Sequence, residues 1–88
     1  MLIRVRLLGS LRPENLKSNF EVRIPDNSNL NTLIAHISEK FHETSDSINR
    51  PSRNLIMIDG VEAGNLKGLA TPLLEGSDVV FVPVTHGG

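Results

Sequence analysis

Residues 79–88 read Val79-Val80-Phe81-Val82-Pro83-Val84-Thr85-His86-Gly87-Gly88. From Val79 to Val84 every residue is apolar or proline. So uniform a run predicts a strand in the middle of a sheet, covered on one face and left sticky on the other; an edge strand would expose too much of it. Placing this strand centrally decides the architecture. Other strands must flank it, and an apolar element must cover one of its faces.

The segments before it supply both. Residues 2–8 alternate, with Ile3, Val5 and Leu7 on one side and Arg4, Arg6 and Leu8 on the other, the period of a half-buried strand. Gly9-Ser10 and Pro13 break it. Alternation resumes from Phe20 to Ile24, with Phe20, Val22 and Ile24 on one face and Glu21 and Arg23 on the other, so the two strands form a hairpin. Pro25 ends the second strand because it has no N–H to donate. Asp26-Asn27-Ser28-Asn29 is turn and cap chemistry. The period then becomes helical. Leu30, Leu33, Ile34, Ile37 and Phe41 make one apolar stripe, with Asn31 as the expected N-cap and Asn29 as the alternative. Glu39 and Glu43 repel at i, i+4, so the helix is expected to fray there.

The remainder alternates loops and strands. Thr44 to Arg53 is polar, contains Pro51, and reads as a loop. Leu55 to Ile58 is a short apolar strand closed by the tight-turn pair Asp59-Gly60. Residues 61–72 read as irregular, with one short strand near Leu69–Thr71, and Glu75-Gly76-Ser77-Asp78 is a further turn. The simplest packing sets the last strand beside the first and lays the helix stripe over Ile3, Val5, Leu7, Phe20, Val22, Ile24, Val79 and Phe81. The expected fold is α+β: a ubiquitin-like β-grasp, a mixed sheet of four to five strands with one main helix packed on one face. Residues 1–84 make a single domain, and residues 85–88 a flexible tail.

Composition narrows the chemistry. The 88 residues include no cysteine, which excludes disulfides, thiolate nucleophiles, cysteine zinc sites and iron–sulfur clusters, and so also the ferredoxins that share a β-grasp. Nine basic and ten acidic residues give a net charge of −1, against nucleic acid as a direct partner. The opening Met1-Leu2-Ile3-Arg4-Val5-Arg6 is too short and charged for a signal h-region, and no apolar run could span a membrane. A soluble, cytoplasmic protein is expected. Gly64 to Gly68 lacks the lysine and hydroxyl of a phosphate loop, no Gly-x-Ser-x-Gly elbow occurs, and His36, His42 and His86 have no ligand spacing. The two helix histidines, His36 and His42, read as solvated. No catalytic residue, bound cofactor or metal is expected.

The terminus carries more information. With glycine at about 7% of residues, a closing pair arises by chance about once in two hundred chains. Residues 85–88, extended, reach about 13–14 Å beyond the strand. Without Cβ atoms, Gly87 and Gly88 can thread a narrow channel in another protein, and the carboxylate stays unhindered toward activation and subsequent attack.

Asp59-Gly60-Val61, Leu69-Ala70-Thr71-Pro72-Leu73, Glu75-Gly76-Ser77-Asp78-Val79-Val80, Val82-Pro83-Val84 and the closing Gly87-Gly88 together resemble the ThiS/MoaD/Urm1 group of ubiquitin-like sulfur carriers. The resemblance runs the length of the chain and is most specific from Asp59 to Gly88. It implies that an E1-like adenylyltransferase of the MoeB, ThiF or Uba4 kind, using ATP and magnesium, converts the Gly88 carboxylate to an acyl-adenylate. Persulfide sulfur then gives a thiocarboxylate that serves molybdopterin or thiamin synthesis or tRNA thiolation. It implies a molybdopterin synthase large subunit or a thiazole synthase as further partners. For the Urm1 and small archaeal modifier members it implies conjugation of Gly88 to lysines of target proteins. Phe81-Val82-Pro83-Val84 lacks the aromatic and Pro-Pro pairing common in molybdopterin-synthase small subunits, and Thr85-His86-Gly87-Gly88 is closer to Urm1 and archaeal-modifier endings. The Thr44–Arg53 loop is longer than in typical bacterial sulfur carriers.

Strand alternation also assigns a partner surface. If Val79 and Phe81 face the helix, then Val80, Val82 and Val84 face away, joined by Leu8 and Met57, with His86 beyond them on the tail and Arg4, Arg6 and Arg23 flanking. Such apolar patches mark protein partners. A third reading is a non-covalent β-grasp binding module in which the glycines are idle.

Overall fold

The computed structural model describes residues 1–11, 19–41, 48 and 54–84. The elements are β1 (Leu2–Leu7), β2 (Asn19–Arg23), α1 (Leu30–Lys40), β3 (Asn54–Ile58), β4 (Val61–Glu62) and β5 (Asp78–Pro83). Among the described residues one sheet forms, in the order β2-β1-β5-β3-β4. The most apolar strand is central, as its composition predicts. It runs parallel to β1, with Val5 opposite Val79 and Leu7 opposite Phe81, and antiparallel to β3, with Leu55 opposite Val82 and Met57 opposite Val80. The β1–β2 hairpin places Ile3 opposite Val22 and Val5 opposite Phe20.

Alternation along these strands builds the core. Ile3, Val5, Leu7, Val22, Val79 and Phe81 are buried beneath Leu30, Leu33, Ile34 and Ile37 of α1. Phe81 and Leu7 have no exposed surface. Phe20 is only half-buried; it packs edge-on against Phe41, their ring centroids 5.0 Å apart, where the helix ends. Phe41 is the C-cap, its N–H donating to the Ile37 carbonyl.

Four local expectations change. The N-cap is Asn29, not Asn31: Asn29 is extended, and its Oδ1 accepts from the Thr32 N–H at 3.0 Å, while Asn31 is already inside the helix. The short strand lies at Val61–Glu62 rather than near Leu69–Thr71. Asp59 and Gly60 both take positive φ (49° and 84°), the geometry of a primed two-residue turn, so β4 must pair with β3 immediately after it. Gly68 to Ala70 instead forms a 3₁₀ turn, and the extended residues beyond it bridge Asn29 to Pro72 at the start of the helix. The buried Thr71 holds this turn, its Oγ1 donating to the Gly68 carbonyl at 2.7 Å and accepting from the Lys67 N–H. Within the expected Thr44–Arg53 loop, Ile48 is helical and fully buried, so its aliphatic side chain belongs to the core. The other residues of that loop, with Pro13, His42 and Glu43, lie outside the described residues.

Candidate functional site

Among the described residues no helix covers the second face of the sheet. The residues between those that point into the core emerge here: Arg4, Arg6 and Leu8 from β1 and its end, Asp78, Val80 and Val82 from β5, Leu55 and Met57 from β3. Cross-strand pairing decides which of them meet. Met57, Val80 and Arg6 lie in one row across β3, β5 and β1, and Leu55 and Val82 in the next. Leu8, Met57, Val80 and Val82 are half-buried, and Val84, just past β5, is 46% exposed. The structure thus brings Met57 and Val80 together as register partners and places Leu8 just beyond the Leu7–Phe81 pair. Leu55 is a patch residue that the sequence reading omitted. It stands two positions from Met57, so the period-2 rule could have found it.

The charged surround also differs from expectation. Arg6 borders Val80, and its Nε donates to Asn19 Oδ1 at 3.1 Å. Arg4 sits in a row of alternating charge, between Glu21 on β2 and Asp78 on β5. Arg23 does not flank the patch: antiparallel pairing sets it opposite Leu2, at the start of β1, whereas the patch gathers toward the end of β5. A shallow groove of about 680 Å³ runs over the charged part of this face, lined by Arg4, Arg6, Asn19, Glu21, Asp78 and Val80 among others. The face is therefore divided, apolar over β3 and β5 and charged over β1 and β2.

Contacts at each end fix β5. At its start, the Asp78 N–H donates to Asp59 Oδ1 and the Asp59 N–H to the Asp78 carbonyl, both at 2.8 Å, which locks the β3–β4 turn to the strand. At its end, the Leu8 N–H donates to the Phe81 carbonyl at 3.1 Å, and Pro83 packs beside Gly9. The central strand therefore delivers the chain at Val84 to the surface. His86, Gly87 and Gly88 lie outside the described residues.

Among the described residues no group of three or more His, Asp or Glu side chains gathers where it could hold a metal ion. His36, expected to be solvated, is half-buried on α1. No helix of the described residues is long and apolar enough to cross a membrane.

No protein-family model and no curated protein matches the sequence. Solved structures do match the fold. The small archaeal modifier protein 1 from Methanosarcina acetivorans superposes with a TM-score of 0.82 at 17% identity, over 99% of this chain and 96% of that one. Urm1 from Trypanosoma brucei gives a TM-score of 0.74 at 22% identity, over 99% and 95%. A chain of the complex of subunits 1 and 2 of the molybdopterin-converting factor from Helicobacter pylori gives 0.65 at 20% identity, over the full length of both. In strand order, central strand and covering helix, the chain has the ubiquitin-like β-grasp fold that these small proteins share.

Proposed function

We propose that this chain is a ubiquitin-like sulfur carrier whose Gly88 carboxylate is the reacting group. The observation that carries the reading is the position of Gly87-Gly88 in the sequence, three residues beyond the central β5, in a fold that matches a small archaeal modifier protein and Urm1 over nearly the whole chain. An E1-like adenylyltransferase would dock on the open face. The Gly88 carboxylate attacks the α-phosphorus of magnesium-bound ATP there, releasing pyrophosphate and forming an acyl-adenylate. The terminal sulfur of a partner's persulfide then displaces AMP at the acyl carbon, and reductive cleavage of the acyl disulfide by a second thiol leaves the thiocarboxylate. In this reading the chain is substrate and carrier; nucleotide, metal and thiols belong to partners, consistent with a sequence without cysteine. The half-buried Leu55, Met57, Val80 and Val82 suit docking, because they offer apolar area on a preformed, rigid sheet. The partner subunit in the molybdopterin-converting factor complex supports a second docking protein of that kind, the thiocarboxylate being delivered to it.

The test is intact-mass analysis after incubation with such an enzyme, magnesium-ATP and a persulfide donor. One sulfur-for-oxygen exchange is expected at Gly88, and none after deletion of Gly87-Gly88. Absence of adenylate and thiocarboxylate with every cognate activating enzyme would sink the reading. A neighbour that is itself named a modifier protein favours a second outcome, in which the activated Gly88 forms an isopeptide bond with lysines of target proteins. The Gly68–Gly88 remnant that trypsin leaves on target lysines by cutting after Lys67 would report it.

A further inference from the structure

We infer that Gly9 is a positioning residue: with Pro83 it fixes the point and direction at which the chain leaves the central strand. This rests on the carrier reading for its functional consequence, but its structural content stands apart from it. β1 and β5 run parallel only as far as the Leu7–Phe81 pair. Beyond that pair β1 turns away through the 3₁₀ turn Gly9–Leu11, while β5 continues to Pro83. Odd-numbered residues of this segment direct their backbone groups toward β1: the Ser77 carbonyl accepts from the Arg4 N–H and the Phe81 carbonyl from the Leu8 N–H. By the same alternation the nitrogen of Pro83 faces the β1 side. A residue with an N–H there would need an acceptor just where β1 has turned off; proline removes the donor.

Gly9 fills that place. Its φ is +56°, a conformation that L side chains rarely adopt, and a Cβ on it would stand 3.1 Å from Pro83 Cγ and 3.6 Å from Cδ. The turn is anchored independently of this contact, since the Leu11 N–H donates to the Leu8 carbonyl at 3.2 Å and the Leu11 side chain is fully buried. A rooted turn thus presses a side-chain-free backbone against the last residue of β5. The next residue, Val84, is exposed. An added Cβ asks for a shift of a few tenths of an ångström, either in the turn, which Leu11 anchors, or in Pro83, the last residue of β5, held on its other side by its register pair Asn54. Moving Pro83 shifts the exit point at Val84 while leaving Leu55, Met57 and Val80 of the open face in place.

The experiment compares wild type, Gly9→Ala, Pro83→Ala and the double variant in two measurements. In amide NMR spectra, Gly9→Ala and Pro83→Ala should each shift the resonances of Val84 to Gly88 while those of β3 and α1 hold. The double variant should show less than the sum of the two single effects, because the ring that the new Cβ strikes is gone and only the strain of an alanine at a φ of +56° remains. In pyrophosphate exchange with an E1-like enzyme and magnesium-ATP, Gly9→Ala should lower kcat by about two- to tenfold, less than the ~100-fold of a 1 Å misplacement because the contact asks for a shift of only a few tenths of an ångström. Its Kd for the enzyme, set by the open face, should stay within about twofold, well under the tenfold that 1.4 kcal/mol would produce. Unchanged terminal resonances in folded Gly9→Ala, or loss of affinity in step with turnover, would overturn the inference. If Gly9→Ala does not fold, Pro83→Ala decides alone, and a variant with native terminal resonances and native kcat overturns it. If the wild-type chain is never adenylated, the carrier reading fails, and the resonances alone decide the role of Gly9.

Discussion

On the helix side of the sheet, Ile3, Leu7 and Phe81 have no exposed surface; on the other side, Val80, Val82, Leu55 and Met57 remain half-buried and Arg4 and Arg6 exposed. Both faces are made by the same strands, and in β5 both are made of the same kinds of residue. Val79 and Phe81 face the core, Val80 and Val82 face away, and the sequence between them shows no break in hydrophobicity. The two sets differ in what covers them. A fully buried aliphatic or aromatic side chain is worth about 1.5–3 kcal/mol, so a half-buried one leaves about half of that unspent until a partner closes over it. One apolar face of β5 thus holds the fold, and the other, under the proposed carrier function, is the face on which a partner would dock.

The largest effect that could break this comparison is at Phe81. Phe81→Ala should cost about 3–5 kcal/mol, because it opens a cavity under α1 in the middle of the sheet. Against a total stability of about 5–15 kcal/mol, that is a large fraction of the whole. Urea denaturation followed by circular dichroism measures it, and a cost below about 1 kcal/mol would show that the covered face is not what holds the molecule together. On the other face, Val80→Thr combined with Val82→Thr keeps shape and strand propensity while adding two hydroxyls. Stability should change by less than about 1 kcal/mol. Affinity for the activating enzyme should fall by about tenfold, the loss of about 1.4 kcal/mol in a contact surface. A variant that loses stability but not affinity would reverse the roles assigned to the two faces.

A smaller effect concerns the element that covers the core. Asn29→Ala removes the acceptor for both the N–H and the hydroxyl of Thr32, at 3.0 and 3.1 Å, and should cost about 1 kcal/mol. Asn31→Ala, at an exposed position inside α1, should cost nothing measurable. The pair also shows where sequence reasoning ran out. Asn29 and Asn31 are equally good caps by residue type; what selects Asn29 is the bridge to Pro72 and the Leu30 N–H bonded to the Thr71 carbonyl, contacts made by a loop forty residues away in the chain. The β1–β2 hairpin, the central β5 beside β1, the buried helix residues Leu30, Leu33, Ile34 and Ile37, and the alternation that turns Val80, Val82 and Met57 away from the core were legible, because alternation and apolar runs are local signals. Arg23 was misplaced beside the patch because face can be read from period but position along the sheet needs register. The burial of Ile48 was hidden in a polar stretch, with no period around it to read. The strand at Val61–Glu62 was missed although its turn, Asp59-Gly60, had been read; that turn commits the chain to a returning partner even when only two residues pair. The chemistry that the sequence offers for Gly87 and Gly88 rests on the sequence alone, since both lie outside the described residues.

The smallest expected effect tests the comparison most directly, because it uses neighbours in one strand. Arg4 and Val5 are adjacent in β1, and Val5 is 2% exposed beneath the helix while Arg4 stands exposed between Glu21 and Asp78. Despite that setting, Arg4 forms no ion pair among the described residues. The charges of the row interact through water, where each such pair is worth about 0–1 kcal/mol and is screened by salt. Arg4→Ala should therefore change stability by no more than about 0.5 kcal/mol. Its effect belongs to encounter: a charge at the rim of a docking face alters the association rate and its salt dependence more than the lifetime of the complex. Stopped-flow association with the activating enzyme at low and high salt measures this, the wild type and Arg4→Ala converging as salt rises. If Arg4→Ala instead cost more than about 1 kcal/mol in denaturation, the open face would be contributing to the fold itself, and the division of labour between the two faces would not hold.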